Sequence, residues 1–322
     1  MSWDSVPWFV GGGAEHSPEV ARLLAYAATS GAEGVVSPGD LKVLPLDVPG
    51  SSVRVSLGAA LIRSRAAGGT AQTYVARNPI EDVVPVAATG SAGGRSDLIV
   101  AQIEDPFMAG EPWQDPADPK VGPYIFTRVI SNVPAGTTTL QGLSGYSGRS
   151  AVVLARIDLP ASTGTVTAGM IVDLRKVALP RSSRALSLQA GTVAQLNATT
   201  EVSFPQNRLD VAIPEWATRL TGVVTANGIL QFGADEAMAT RVRLGASLYS
   251  AATITDQDAN AGDAQTRLTL FGFTFDVPPE MRGTTQRLTF WSRRLYASST
   301  GRFASNLSTQ VAFDVFFEES TT

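Results

Sequence analysis

The chain has 322 residues, 44% hydrophobic and 17% charged, with a formal net charge of −4. That length accommodates two domains, each large enough to bury its own core. It contains no cysteine and one histidine, His16, which excludes disulfides, thiol catalysis, cysteine-zinc sites and multi-histidine metal sites together.

Acidic and basic residues are interleaved, so no basic patch supports nucleic-acid binding. No apolar run approaches the about 20 residues of a bilayer-spanning helix, so no membrane insertion is expected. The opening MSWDSVPWFVGGG lacks the basic and apolar regions of a signal peptide, which predicts synthesis in the cytoplasm.

One helix is well signalled at residues 18–30. Ser17 can cap it, Pro18 suits the first turn and Glu19 suits the positive end of the dipole. Val20, Leu23, Leu24 and Ala27 recur at i, i+3, i+4 and i+7, predicting one apolar face toward the core. Gly31 is placed to end the helix. His16 precedes it with no nucleophile motif nearby, and reads as a solvated loop residue rather than a general base.

Beyond this helix the chain reads mostly as strand. VRVSL alternates Val53, Val55 and Leu57 inward. LIVAQI, YIFTRVI and AVVLARI are rich in β-branched residues, and VPGSS, AAGG, SAGGR and VPAGTT mark turns between such runs. A second short helix is predicted within TAGMIVDLRKVAL, where Met170, Leu174 and Val177 fall at i, i+4 and i+7.

Beyond LPRSSR the strands lengthen and aromatics accumulate, among them Phe271, Phe273, Phe275, Phe290, Phe313 and Phe317. The expectation is a mainly β protein of two antiparallel β-sandwich or barrel modules. The first, 1–160, carries the N-terminal helix. A linker with the short helix spans 161–185, and the second module, 186–322, is a jelly-roll-like sandwich.

Candidate sites are few. In DQDANAGD, Asp256, Asp258, Asn260 and Asp263 resemble the start of a calcium loop, but Ala261 and Arg267 replace the glycine and glutamate that such a loop requires. A weak metal site and a plain polar hairpin are both open. Trp216, Trp291, Tyr249 and Tyr296 could form a glycan-stacking platform with Arg293 and Arg294 alongside; Trp291 is read as core, which leaves Trp216, Arg293 and Tyr296 as the glycan contact.

Arg95 and Asp97 share one side of an extended chain. They could pair with neighbours at a sheet edge or across a subunit interface, with Arg128 and Glu104 as possible partners. Asp173 and Arg175 could serve a hinge or an oligomer contact in the same way. The plain alternative is a surface ion pair contributing about 0–1 kcal/mol.

Several stretches taken as a set resemble minor tail proteins of long-tailed phages that infect actinobacteria. They are SPEVARLLAYAATSGAEGVVSPGDLKVLPLDVPGSSVRVSLGAALI, GGRSDLIVAQIED, VPAGTTTL and LPASTGTVTAGMIVDLRKVALPR. The Arg-x-Asp-apolar strand is also similar to baseplate upper proteins. The resemblance covers roughly residues 1–185. It implies a virion protein of the tail tip or baseplate, with an N-terminal module that docks on other tail proteins and a C-terminal module that faces the host surface.

A homotrimer is expected, with Met170, Leu174 and Val177 near its axis. No catalytic residue, cofactor or enzymatic activity is expected. The alternative is a receptor-recognition or glycan-cleaving tail protein whose partner is a cell-envelope glycan.

Overall fold

The computed structural model describes residues 15–69, 71–111, 113, 118–257 and 265–321. The chain is mainly β and divides into two compact units, Met1–Leu179 with Thr321–Thr322, and Pro180–Ser320. Named strand pairs are antiparallel throughout the described residues.

The first unit begins with helix α1, Pro18–Thr29. Ten strands follow: β1 Gly34–Val35, β2 Val43–Pro45, β3 Ser52–Val55, β4 Gly58–Arg63, β5 Thr73–Asn78, β6 Asp82–Pro85, β7 Arg95–Ile103, β8 Ile125–Val133, β9 Ala151–Leu159 and β10 Ile171–Asp173. They form three sheets ordered β1-β4-β5, β2-β3-β6 and β10-β9-β7-β8.

Strand β7 is the centre of this unit. LIVAQI is buried on both faces, as a near-continuous apolar run interrupted by Gln102 predicts. Ile99, Ala101 and Ile103 join one core cluster, while Leu98 and Val100 join another with Leu140 and Val133. Val53 and Val55 are buried as expected, but Leu57 lies beyond the end of β3 and is exposed.

Helix α1 is capped as the sequence predicts: Glu19 N donates to Ser17 Oγ at 3.2 Å. Its orientation is the reverse of the expected one. Leu23 and Leu24 are 49% and 44% exposed, and no helix residue is fully buried. The docked face carries Arg22 and Tyr26 instead. The Arg22 guanidinium lies 5.1 Å from the Tyr74 ring and donates to Gln72, and Arg63 lies over Tyr26. Cation–aromatic and hydrogen-bond contacts fix this helix, and its apolar stripe does not.

The segment after β9 also departs from expectation. Residues 168–170 make a single 3-10 turn and Ile171–Asp173 is strand β10, paired with β9. Thus no linker helix forms, and residues 161–179 lie within the first unit. Met170 and Val177 pack on one core cluster and Leu174 on the other, so the supposed helical stripe points to two sides of a sheet. A three-residue strand paired to a nine-residue one gains ladder hydrogen bonds that an isolated short helix in water lacks.

The second unit contains β11 Ser182–Ala190, β12 Ala194–Leu196, β13 Arg208–Ala212, β14 Arg219–Phe232, β15 Glu236–Leu244, β16 Leu248–Tyr249, β17 Thr253–Gln257, β18 Gln265–Asp276, β19 Thr285–Arg294, β20 Arg302–Ser305 and β21 Gln310–Glu318. One six-stranded sheet runs β11-β21-β14-β20-β12, with β18 on the other edge of β14. A five-stranded sheet runs β13-β19-β15-β16, with β17 paired to β15. These are larger sheets than the eight strands of a jelly roll require.

The aromatic core expected from composition lies between them. Phe271 meets Phe290 edge-on at 5.8 Å, and Phe290 meets Phe313 at 5.4 Å. Phe273, Phe275, Phe303 and Phe317 fill the same cluster.

Candidate functional site

The residues singled out by sequence form two groups in the first unit, both built on i, i+2 spacing along an extended chain. Arg95 and Asp97 pair with each other: Nε donates to Oδ1 at 2.8 Å and Nη2 to Oδ2 at 2.9 Å. Asp97 is fully buried. It sits at the register irregularity between β7 and β8, where Asn132 N donates to its Oδ1 at 2.9 Å. Arg95 also donates to the carbonyls of Ala87 and Ala88. The pair therefore ties the chain before β7 to the bulge in β8.

The partners suggested for it are engaged elsewhere. Arg128 pairs with Glu104 at 2.9 Å, and Gln102 donates to the same carboxylate. Beside Arg95–Asp97, on β9, Arg156 and Asp158 repeat the motif, with Ser96 Oγ donating to Asp158 at 2.7 Å. The Arg156 hydrogen bonds hold the Asp158 carboxyl below its ordinary value.

The second group closes the unit. Arg175 is only 4% exposed. Its Nε and Nη2 donate to the two Asp173 oxygens at 2.9 and 2.6 Å, and its Nη1 donates to the carbonyls of Pro38 and Asp40 at 2.8 and 2.6 Å. Next to it, Val35 N donates to Lys176 O and Ala178 N to Val35 O, forming the parallel bridge Val35–Val177. GVV and DLRKV are 139 positions apart by their first residues, Gly34 and Asp173, yet they form one contact. Gly34 has φ +140°, and a Cβ there would collide with Lys176 O. Asp173 and Arg175 thus serve an internal clasp rather than a hinge, and Met170, Leu174 and Val177 are packed within their own unit.

In the second unit the expected glycan contact does not come together. Trp216 packs against the core near the Thr285 end of β19, beneath Arg181, whose guanidinium lies 5.5 Å from its ring. Tyr296 lies beyond Arg294, at the far end of the same strand, about 30 Å away for ten extended residues. There it donates to Asp256 Oδ2 at 3.0 Å. Asp258, Asn260 and Asp263 lie outside the described residues. Among those described, no group of three His, Asp or Glu residues is placed to hold a metal ion.

Trp291 is not a core residue. Leu288, Phe290, Ser292 and Arg294 of β19 are buried, which turns Thr289, Trp291 and Arg293 outward. Arg243 lies 4.8 Å from the Trp291 ring and 5.3 Å from Tyr249. Around it stand the pairs Arg241–Glu201 and Arg287–Asp210. This outer face of the five-stranded sheet is polar and arginine-rich.

The opposite outer face was not anticipated. On the six-stranded sheet, register aligns Leu186, Asp314, Val223 and Gly272 in one row, and Leu188, Ala312, Thr225 and Leu270 in the next. On β14, β18 and β21 these positions alternate with the buried Val311, Phe313, Val315, Val224 and Phe271, while Leu186 and Leu188 of β11 alternate with half-buried residues. The outward positions thus gather Leu186, Leu188, Val223 and Leu270 around Asp314 and Thr225, a grouping that shows only once the strands are aligned.

Sequence reasoning also missed the buried pair Arg294–Glu236, with Nε donating to Oε2 at 2.6 Å and both side chains almost fully enclosed. Glu236 further accepts from the backbone N–H of Ala237 and Tyr296.

A scan against protein-family models matches none, and the search of curated proteins finds no match. Among solved structures, the infectious bursal disease virus VP2 subviral particle aligns at 10% identity and TM-score 0.26, covering 90% of this chain and 68% of that one. A Bacillus thuringiensis Cry1Da tryptic core variant aligns at 12% identity and TM-score 0.21, covering 92% and 54%. A carbohydrate-binding module of the β-sandwich superfamily aligns at 12% identity and TM-score 0.14, covering 90% and 97%. Superpositions this loose carry no argument about fold or function.

Proposed function

We propose that this chain is a structural virion protein of a phage tail tip or baseplate. Its N-terminal unit docks on neighbouring tail proteins and its C-terminal sandwich faces the host. It works as a self-assembling component, a homotrimer in the intact tail, and it is not an enzyme.

The observation that carries this reading is the commitment of the motif residues to the fold. Arg95–Asp97 and Asp173–Arg175 lie in the stretches that resemble tail proteins, and each is a bidentate clasp within one unit. Carboxylates engaged in this way have both oxygens occupied, which suits a rigid building block rather than acid–base chemistry. A glycan-cleaving role needs two carboxylates facing across a cleft, and no described feature favours one. Glycan recognition retains the arginine-rich face around Trp291, although Arg243 already lies over both aromatic rings there.

The test is direct. Mass spectrometry of purified particles should find the chain as a stoichiometric component, and the isolated protein should release no soluble sugar from host envelope. Absence from particles, or sugar release, overturns the reading.

A further inference from the structure

The C-terminal sandwich has two unlike outer faces. The five-stranded sheet presents arginines and paired acids to solvent. The six-stranded sheet presents Leu186, Leu188, Val223, Leu268, Leu270 and Phe316, with Leu188 and Leu268 as much as 76% and 66% exposed. Together these six leave on the order of 600 Å² of apolar side chain in contact with water, the upper end of what a free-standing monomer shows. That is most of the ~800 Å² that one partner contributes to a stable interface.

We infer that this face is covered by a second copy of the same chain. Rows of side chains on four adjacent strands make a broad sheet face, and one sheet face packs well on another, about 10 Å away. The surface is also electrically self-compatible. In the aligned rows from Arg184 to Ala190, the only charges on the face are Arg184 and Asp314, already joined at 2.6 Å. A facing copy meets no uncompensated charge, so no like-charge repulsion opposes the contact.

Glu318, Arg219 and Asp276 align in the next row outward, giving an apolar centre with a polar rim. Gly272 adds relief: a Cβ there would meet open space, leaving a notch beside Val223 for a side chain of the other copy. A sugar ligand is disfavoured, because among the described residues the face offers one aromatic ring, Phe316, on which a sugar could stack. The unlike faces then orient the sandwich, with the apolar sheet against sister copies and the arginine-rich sheet outward.

This inference rests on the assembly reading but names a further, two-fold contact, like face against like face, which the three-fold contacts of a homotrimer do not include. It is tested on the isolated full chain, independently of where the chain sits in a particle. Light scattering and sedimentation at tens of micromolar should show an oligomer for the wild type and a monomer for the Leu188→Glu/Leu270→Glu double variant, with unchanged far-UV spectrum and the melting of dilute, monomeric wild type. Because the chain is cysteine-free, a second measurement covers any folding failure. Leu188→Cys should react with a maleimide at least tenfold more slowly than Thr285→Cys on the other sheet, and the difference should vanish on dilution to monomer. A monomeric wild type, an oligomer that survives the double charge insertion, or equal labelling rates at the two cysteines overturns the proposal.

Discussion

Arg175 reaches back to Asp173, two residues earlier in the chain, and grips both of its carboxylate oxygens while its remaining nitrogen holds the carbonyls of Pro38 and Asp40. One guanidinium thus joins the last strand of the first unit to the turn that follows its first strand. The planar fork supplies this geometry, and an ammonium cannot.

Arg175→Lys should therefore destabilise the first unit by about 2–4 kcal/mol, since it leaves one carboxylate contact and at least one buried carbonyl unmet. Calorimetry of the full chain should show the transition of the first unit moving down while that of the C-terminal unit stays in place.

Gly34→Ala should have a comparable effect through a different cause. Alanine at φ +140° is strained, and its Cβ would displace the Lys176 carbonyl that receives the Val35 hydrogen bond. The expected loss is about 2–4 kcal/mol, read by urea unfolding.

In the second unit, Arg294→Leu should cost about 3–5 kcal/mol, because it leaves the Glu236 carboxylate buried without its cation. The double variant Arg294→Leu/Glu236→Leu should recover much of that loss, since removing both charges leaves no uncompensated ion. A double-mutant cycle by denaturant melts checks the coupling.

Two carboxylates should give opposite pH signatures. Burial raises the Glu111 carboxyl above its ordinary 4.5, although Ser150 donates to it from both its hydroxyl and its N–H. The folded state then holds that proton more tightly than the unfolded one. Its contribution is complete below about pH 4.5 and is lost as pH rises through the folded value. Glu111→Gln should therefore gain stability relative to wild type on going from pH 4.5 to 8.

Glu319 is the reverse case. Its hydrogen bonds from Arg181 hold it below 4.5, so its contribution is present above that pH and lost as pH falls through the folded value. The deficit of Glu319→Gln should shrink on acidification below pH 4.5. Thermal melts of both variants from pH 3 to 8 decide the signs.

The two-sided burial of LIVAQI and the phenylalanine core of the second unit were legible in the sequence, because near-continuous apolar runs and period-2 alternation have few other solutions. The helix at 18–29 was legible in its limits but not in its orientation. Capping is local chemistry, whereas the choice of docked face depends on Tyr74 and Gln72, some 50 residues downstream.

The stripe Met170, Leu174, Val177 fits a helix, yet the same residues suit a short strand and then an irregular crossing. Pairing with β9 decided between them. Arg-x-Asp spacing signalled a shared side of a strand, but not that each pair would close on itself. The apolar face of the second unit emerges only after β11, β21, β14 and β18 are brought into register, which no single strand reveals.

If this chain builds a particle by meeting copies of itself, a domain-resolution map of the intact tail tip should show it without intermediate steps. Several copies are expected around the tail axis, with strands 182–190 and 265–276 turned toward sister copies and the Trp291 face turned outward. A map that places the chain as an isolated copy, or that shows the 182–190 face bare to solvent in the assembled tip, contradicts self-assembly through this sheet.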